Sequence, residues 1–297
     1  MERHIRISGF SDEISSDFDT QLEVVTRLGM RYLSLRGIDG RNVGDFTVEE
    51  IQENVLPRLQ KAGVGVSSIG SPIGKVFVGD EEGFANQQEM LHRLCRIGML
   101  LGCRYIRIFS FYIPAGRDPD AYRDEVIAKI GILVRIAERY DIVLLHENEK
   151  DIYGDIAERC ADMFTAVDSE HFKAIFDFAN FVQCGEDTQN CYELLKPHIA
   201  YIHIKDAVST DRENVLCGAG EGQIPSILAQ AIAGGYTGFL TLEPHLVLFD
   251  SLKDLELEPA EHVIKDNKGL DGAGGYRLQY EALKAILKQI ESGATVS

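Results

Sequence analysis

The sequence predicts an α/β protein built as a single (β/α)8 barrel, and three observations lead to this fold class. Short apolar runs alternate with longer stretches of helical periodicity, as a parallel sheet with crossover helices requires. The runs recur about every 33 residues, close to the length of one βα unit. The 297 residues suffice for a barrel of about 250, and no linker rich in Pro, Ser or Gly divides them. We therefore expect residues 1–297 to form one barrel domain.

The predicted strands are eight runs rich in Ile, Val, Leu, Tyr and Phe. They cover residues 5–10, 32–36, 64–69, 105–110, 142–147, 174–178, 199–204 and 239–243. Several are preceded by the end of a helix and a glycine, which takes the positive φ of a helix C-terminus. A doubly wound open sheet is the alternative, but it usually has a Gly-rich phosphate loop after its first strand. Here the first strand runs into SDEISSDF.

The segments between the strands carry apolar residues at spacings of three and four, which predicts about eight helices. The first and the last show the pattern at Leu22, Val25 and Leu28 and at Leu283, Ile286, Leu287 and Ile290. One segment, 247–275, breaks the rhythm with about 29 residues between the last strand and the last helix. Loops longer than about 15 residues are usually functional or interfacial. A lid, a subunit contact and a mobile insertion are the interpretations open for it.

Composition and charge exclude several classes of partner. Forty-seven acidic and thirty basic residues give a formal net charge of −17, which repels a phosphate backbone, so we expect no nucleic-acid partner. No apolar stretch is long enough to span a membrane, and the start, MERHIRISGF, lacks the apolar core of a signal peptide. We expect a cytoplasmic protein without a membrane partner. The six cysteines include no C-x-x-C pair, so we expect reduced packing residues.

Each of the last four predicted strands ends in a side chain that can bind a metal. These residues are Glu147, Asp177, His203 and Glu243, separated by 30, 26 and 40 residues. Active sites of (β/α)8 barrels lie at the C-terminal mouth, and neighbouring strands are about 4.8 Å apart. Three carboxylates crowded in such a place repel one another unless a cation is present. The pattern predicts one divalent metal ion, Mn²⁺, Mg²⁺ or Co²⁺, with Zn²⁺ tolerated.

Each residue alone also has an ordinary structural explanation. A carboxylate at a strand end is often a helix N-cap or part of a loop ion pair. A single histidine in YIHIKD fits a hydrogen-bonded core position equally well. Four such residues in the same phase on successive strands favour the metal site over four separate coincidences.

The motifs at these strand ends resemble those of the xylose isomerase-like barrel superfamily of sugar phosphate isomerases and epimerases. They are the Glu of LLHEN, the D-x-x-N of Asp177 and Asn180, the H-x-K-D of 203–206, the G-x-G of 220–222 and the Glu of LTLEP. The resemblance extends from SGFSDEIS to the closing helix. It implies that the four strand-end residues bind the metal. It also implies that Glu147 and Glu243 shuttle a proton between adjacent carbons of a sugar.

The chemistry of the residues agrees with this implication. Metal chelation of a carbonyl and a neighbouring hydroxyl oxygen stabilises the enediolate that forms when a C–H proton leaves. Two carboxylates on opposite sides of the substrate can remove and return that proton. Use of one face gives an isomer, and use of opposite faces gives an epimer.

The sequence departs from the patterns of two branches of this superfamily. The ketose 3-epimerase branch usually has a His three residues after the strand-six Asp and a Glu six residues after the first metal-binding Glu. This chain has Asn180 and Tyr153 there. Apurinic endonucleases of the superfamily need further His ligands and a basic DNA face, whereas strands two and three end in SLRG and SSIGSPIG. These departures disfavour both branches and leave the sugar unassigned.

Further candidate substrate contacts are Arg107, Asn180, Lys205 and His245. An ion pair in the barrel wall is the alternative for Arg107 and Lys205. His146 should point away from the mouth, toward the helices. The loop GAGEGQI lies where barrels often bind phosphate, but its glutamate disfavours a dianion. A free sugar, an inositol or a sugar acid is therefore as plausible as a sugar phosphate.

The sequence thus predicts a metal-dependent isomerase or epimerase of a small sugar, sugar derivative or sugar phosphate. A metal-dependent dehydratase acting on an inosose-like keto-polyol is the alternative. A phosphodiesterase of the endonuclease type and a sugar-binding barrel without catalysis are further hypotheses. Neither the native metal nor the oligomeric state follows from the sequence, and a homo-oligomer is one arrangement we consider.

Overall fold

Eight parallel strands form a nearly closed barrel in the computed structural model, which describes residues 5–250, 252, 264 and 269–293. The strands are β1 Arg6–Gly9, β2 Tyr32–Leu35, β3 Gly65–Ile69, β4 Tyr105–Ile108, β5 Val143–Glu147, β6 Phe172–Asp177, β7 Ile199–Ile204 and β8 Phe239–Leu242. All eight lie within two residues of the predicted runs. The predicted (β/α)8 fold is therefore confirmed.

The strands pair in the spatial order β1, β8, β7, β6, β5, β4, β3, β2. Each hydrogen-bonded pair in this order is parallel, from Arg6 opposite Phe239 round to Tyr32 opposite Gly65. The ring closes between β1 and β2 through one parallel bridge, Phe10 to Ser34. All strand C-termini therefore open at the same mouth.

Helices surround this barrel. They are α1 Phe18–Arg27, α2 Leu56–Ala62, α3 Glu81–Leu101, α4 Arg123–Glu138, α5 Ala157–Val167, α6 Phe178–Gln183, α7 Thr188–Leu195, α8 Ile224–Ala233 and α9 Gly272–Glu291. Helices α2 and α3 end on Gly63 and Gly102, whose φ angles are +66° and +64°. A side chain with a Cβ disfavours this left-handed conformation, so glycine turns the chain into the next strand.

The barrel interior changes from apolar to polar toward the mouth. Along β5 the inward-facing positions alternate, so Val143 and Leu145 lie below Glu147. Val143, Leu145 and Tyr201 belong to a buried apolar cluster at the lower end. The Tyr201 hydroxyl lies 2.6 Å from Thr241 Oγ1 and 2.8 Å from a second barrel hydroxyl, Ser67 Oγ. The closed lower end leaves the mouth as the place for chemistry.

Most of the long segment 247–275 lies outside the described residues, so the lid and subunit-contact interpretations stay predictions. Its described parts include Leu252 and Ile264, which are both buried. All six cysteines are free thiols, and only Cys184 is partly exposed. Within the described ranges, no helix is both long enough and apolar enough to cross a bilayer.

Candidate metal centre

The four predicted ligands come together at the barrel mouth. Glu147 and Asp177 are the last residues of β5 and β6, His203 lies one residue before the end of β7, and Glu243 follows β8. Parallel register places Asp177 beside His203 on the neighbouring strands. All four side chains are buried, with relative exposures of 0 to 2%. The strand ends thus deliver three carboxylates and one imidazole to one dry location.

His203 Nδ1 is the point on which the carboxylates converge. It lies 2.8 Å from Glu147 Oε1, 3.0 Å from Glu243 Oε2 and 3.6 Å from Asp177 Oδ2. One ligand atom from each of the four residues lies within 4.8 Å of all the others. These distances suit a shared cation, because metal–ligand bonds of about 2.0–2.2 Å place donors roughly 3 Å apart.

Two of the carboxylate oxygens in this group face His203 without accepting a hydrogen bond from a described residue. The Nδ1 atom of His203 bonds to Glu147, while Asp177 Oδ2 and Glu243 Oε2 are buried without a hydrogen-bond partner in the described part of the chain. A buried charged oxygen without a partner is unfavourable unless a cation or water satisfies it. The donor set, three carboxylates and one imidazole, therefore fits a divalent metal.

Asp177 has two roles, one for each oxygen. Its Oδ1 accepts the backbone N–H of Asn180 at 2.9 Å and caps the start of α6. Its Oδ2 turns to His203. The ordinary explanation of a strand-end carboxylate as a helix N-cap is thus correct for one oxygen and leaves the other available as a ligand.

The electrostatics of the cluster keep its glutamates ionised. Burial opposes a positive charge on His203, but Glu147 and Glu243 outweigh it and raise the pKa of His203 well above its usual range. Burial likewise opposes the charge on Glu243, whose pKa is nevertheless held well below the ordinary value by Lys205, His203 and His245. The pKa of Glu147 is also lowered, because the attraction of His203 and Arg107 exceeds the cost of burial.

Each glutamate is held on its other oxygen by a buried arginine. Arg107, in β4, donates from Nη1 to Glu147 Oε2 at 3.0 Å. Arg36, directly after β2, donates from Nη1 to Glu243 Oε1 at 3.0 Å. Both glutamates therefore present one oxygen to His203 and the other to a guanidinium. Their orientations are fixed by charge-assisted hydrogen bonds.

Sequence reasoning missed the network around Arg36. This side chain is fully buried and also bonds Asp12 Oδ2 at 2.8 Å and Glu13 Oε1 at 3.3 Å. Glu13, Glu243 and His245 form a second group with metal-binding atoms close together. The Arg36 guanidinium already supplies a positive charge to both of its carboxylates, so this second group suits a cation less well. The same strand-end rule, applied to β1 and β2, would have found Arg36 and the acids of SDEIS.

The predicted substrate contacts lie at the same mouth. A small cavity at the mouth is lined by Lys75, Arg107, Phe109, Glu147, Glu149, Asn180, Lys205, Glu243 and His245. Asn180 Nδ2 donates to the Asn148 carbonyl at 2.7 Å, and Lys205 Nζ lies 3.7 Å from Asp177 Oδ2. His245 has a φ of +47°, and its N–H donates to Glu13 Oε2. The wall ion pair considered for Arg107 is present, and this residue also lines the cavity.

Two other sequence motifs have structural roles. His146 faces the helices, as predicted, where its ring packs near Phe164 and Phe172. Asp206 organises the glycine loop, accepting the N–H groups of Gly218, Gly220 and Gly222 at 2.9 to 3.1 Å. Because these donors already bind a carboxylate, the loop is not a free phosphate cradle.

The chain belongs to the xylose isomerase-like TIM barrel family, whose model matches residues 22–290. None of the curated proteins compared with it matches. Among solved structures it is similar to a D-tagatose 3-epimerase-like protein, with 16% identity, 97% of this chain and 99% of that chain covered, and a TM-score of 0.75. It is also similar to the IOLI protein with a bound zinc atom, with 14% identity, 96% and 99% covered, and a TM-score of 0.74.

A third similar structure is the probable 3-DHS dehydratase AsbF from Bacillus anthracis. The identity is 15%, the alignment covers 80% of this chain and 92% of that chain, and the TM-score is 0.66. At identities this low, the three likenesses establish the fold alone. They leave the reaction to be argued from the residues of this chain.

Proposed function

We propose that this protein is a metal-dependent isomerase or epimerase that moves a proton between neighbouring carbons of a small carbohydrate through an enediolate. The observation that carries the proposal is the convergence of Glu147, Asp177 and Glu243 on His203 Nδ1, with a buried arginine on each glutamate. The similar epimerase-like structure and the family membership support the reaction class. The sugar, sugar derivative or sugar phosphate is left open at this step.

The metal would be held by Glu147, Asp177, His203 and Glu243. The zinc in the similar IOLI structure is consistent with a metal in this fold. A divalent cation there supplies Lewis acidity toward a carbonyl and the adjacent hydroxyl oxygen. A native ion of Mn²⁺, Mg²⁺ or Co²⁺ follows from the oxygen-rich donors, and Zn²⁺ also suits the imidazole.

The chain's own contribution is the pair of oriented carboxylates. Glu147 and Glu243 are kept ionised by neighbouring positive groups, so each can accept a proton. The oxygens turned away from His203, Glu147 Oε2 and Glu243 Oε1, are the proposed proton carriers. Arg107 and Arg36 fix these oxygens in place, and the burial of the site excludes bulk water from the reacting carbons.

A metal-dependent dehydratase is the second candidate. It shares the proton abstraction but expels a hydroxyl group. The probable dehydratase among the similar structures favours it, as does the absence of the two ketose 3-epimerase residues at positions 180 and 153. Tyr153 is buried and its hydroxyl lies 3.3 Å from Asp162, so it does not replace the missing glutamate at the mouth. Cytoplasmic location and a homo-oligomeric state stay predictions.

The test is metal depletion followed by product analysis. Dialysis against a chelator should abolish turnover of a panel of ketoses, keto-inositols and their phosphates, and Mn²⁺, Mg²⁺ or Co²⁺ should restore it. Mass spectrometry then distinguishes the reactions, since an isomerase or epimerase conserves the substrate formula. A product lighter by one water molecule would replace the isomerase by the dehydratase. Full activity in the metal-free protein would contradict the metal site.

A further inference from the structure

Arg107 is a buried cation that uses only one of its three nitrogens in a hydrogen bond to a described residue. Its side chain is 3% exposed, and Nη1 is bonded to Glu147. Its Nε and Nη2 atoms are buried and have no hydrogen-bond partner anywhere in the described residues. Buried guanidinium donors are unfavourable when they stay unpaired. This side chain is therefore set up to receive an acceptor that the protein itself does not provide.

The unused atoms belong to one edge of the guanidinium. Nε and Nη2 lie side by side and offer two nearly parallel N–H groups, the arrangement that binds a carboxylate with both oxygens. The guanidinium carbon lies 5.0 Å from the centroid of the Phe10 ring and 4.9 Å from that of the Phe109 ring. Aromatic rings accept hydrogen bonds only weakly. A ligand oxygen pair is the better match for this edge.

The charge of the cavity favours an anion of one unit. The groups that line it or form the metal centre comprise four carboxylates, Glu147, Glu149, Asp177 and Glu243, and three basic side chains, Lys75, Arg107 and Lys205. A divalent cation would be bound by His203 as a neutral imidazole, and with a neutral His245 one net positive charge would then remain. This step rests on the proposed function, because the count includes the cation. A monocarboxylate would neutralise the site.

Two other groups of donors near the mouth that could bind an acidic substrate group are already paired with carboxyl groups of the protein. The N–H donors of the glycine loop bind Asp206. Arg36, the second buried arginine, bonds three carboxylates with Nε, Nη1 and Nη2. Of the two buried arginines in the described part of the mouth, Arg107 is thus the one with an open bidentate edge, and Lys205 lies in the same cavity wall.

We propose that the substrate is a small sugar-derived hydroxy- or keto-acid whose carboxylate binds the Nε and Nη2 edge of Arg107. The remaining carbonyl and hydroxyl oxygens would then lie toward the metal centre. Arg107 is a specificity-determining residue in this account. It would select the acid over the corresponding neutral sugar and over a phosphate ester.

The smallest matched probes are hydroxypyruvate and dihydroxyacetone, which differ only in a carboxylate replacing a hydroxymethyl group and have no stereocentre. Their binding to the Mn²⁺-loaded protein is measured by calorimetry, with dihydroxyacetone phosphate as a third probe. The variants are Arg107→Met, which removes the Nε and Nη2 donors, and Arg107→Lys, which keeps the positive charge without the two parallel N–H groups. Arg104→Met is the control, because Arg104 is exposed and pairs with Asp141.

We expect the wild-type protein and Arg104→Met to bind hydroxypyruvate at least about 10-fold more tightly than dihydroxyacetone. Arg107→Met should lose this preference, and Arg107→Lys should keep only part of it. Equal binding of the two probes, tighter binding of the phosphate ester, or a preference that survives in Arg107→Met would overturn the inference. The last result would show that the acid binds through the metal alone.

A separate Mn²⁺ titration of the same preparations distinguishes the two proposals. Mn²⁺ binding without a preference for the acid overturns the Arg107 inference and leaves the proposed metal site intact. Absence of Mn²⁺ binding in the wild type overturns the proposed function and the inference together. If Arg107→Met loses Mn²⁺, Arg107→Lys decides the test, and an undiminished acid preference in that variant contradicts the inference.

Discussion

On each side of the barrel mouth a buried arginine donates a hydrogen bond to a metal-site glutamate. The two arginines differ in how many of their nitrogens are paired. On the β4 and β5 side, Arg107 donates one hydrogen bond to Glu147 and leaves two nitrogens unpaired in the described residues. On the β1, β2 and β8 side, Arg36 is hydrogen-bonded to three carboxylates, including Glu243. A saturated arginine is part of the framework, whereas an unsaturated one can bind a ligand. The number of paired donors therefore distinguishes the Arg36 side of the mouth, where the protein satisfies the guanidinium, from the Arg107 side, where the proposed ligand would do so.

The largest expected effect comes from the glutamates themselves. Glu243→Gln keeps an oxygen ligand but removes the carboxylate base, so kcat should fall by at least about 10²-fold in metal-saturated protein. Glu147→Gln should show a loss of the same order. Asp177→Asn is the matched variant, and it should mainly weaken metal affinity. Steady-state kinetics over a range of Mn²⁺ concentrations makes the distinction, and a purely metal-reversible loss in Glu243→Gln would contradict its role.

The two arginines should differ in their effect on stability. Arg36→Met leaves the buried acidic side chains Asp12, Glu13 and Glu243 without their guanidinium partner, and we expect a loss of about 3–5 kcal/mol in the free energy of unfolding. Arg107→Met removes one hydrogen bond, to Glu147 Oε2, while Glu147 Oε1 keeps its bond to His203, so it should cost less, about 1–3 kcal/mol. Urea denaturation of the metal-free variants measures both values. Equal losses would remove the contrast between a saturated and an unsaturated guanidinium.

The free energy of unfolding should also depend on pH through Glu13, which bonds Arg36. Burial, reinforced by Glu243 and Asp12, raises the pKa of Glu13 from 4.5 to about 8 despite the attraction of Arg36. Between these two values the folded protein holds a proton that the unfolded chain releases, so stability falls as pH rises. The contribution is about 1.4 kcal/mol per pH unit within that window.

Glu13→Gln tests this pH dependence, because the amide cannot titrate. Unfolding free energies of the metal-free protein are compared with those of the variant between about pH 5 and pH 8. We expect the variant to lose the downward slope and to be more stable than the wild type at the alkaline end. Parallel curves for the two proteins would mean that Glu13 is ionised throughout.

Much of the fold and the four metal-site residues could be predicted, because both depend on the periodicity and spacing of residues along the chain. Strand periodicity determines which side chains face inward, so Glu147, Asp177 and His203 could be assigned to one mouth from spacing alone. The strand-end rule reaches the positions of Arg36, Asp12 and Glu13, but it does not predict which of these side chains pair. Arg36 pairs with Glu243, which is 207 positions away, and arginine is not a residue type that a metal-ligand pattern includes.

The hydrogen-bond partners of individual side chains also could not be predicted from the sequence. The sequence does not show which oxygen of Asp177 caps a helix and which is free to bind a metal. In the structure Oδ1 caps the helix and Oδ2 faces His203. The glycine loop was correctly located, but its capture by Asp206 depends on three backbone N–H groups turned toward one carboxylate. Such pairings arise from tertiary geometry rather than from residue spacing.

Solvent isotope exchange detects the proposed transfer of a carbon-bound proton by Glu147 and Glu243. The Mn²⁺-loaded protein is incubated in deuterated water with hydroxypyruvate and with the ketose and keto-inositol panel, and the carbon-bound label is read by mass spectrometry. We predict that deuterium appears on the carbon next to the carbonyl and that Glu243→Gln lowers its rate. A substrate that is turned over without any label at carbon would contradict the proton-transfer mechanism.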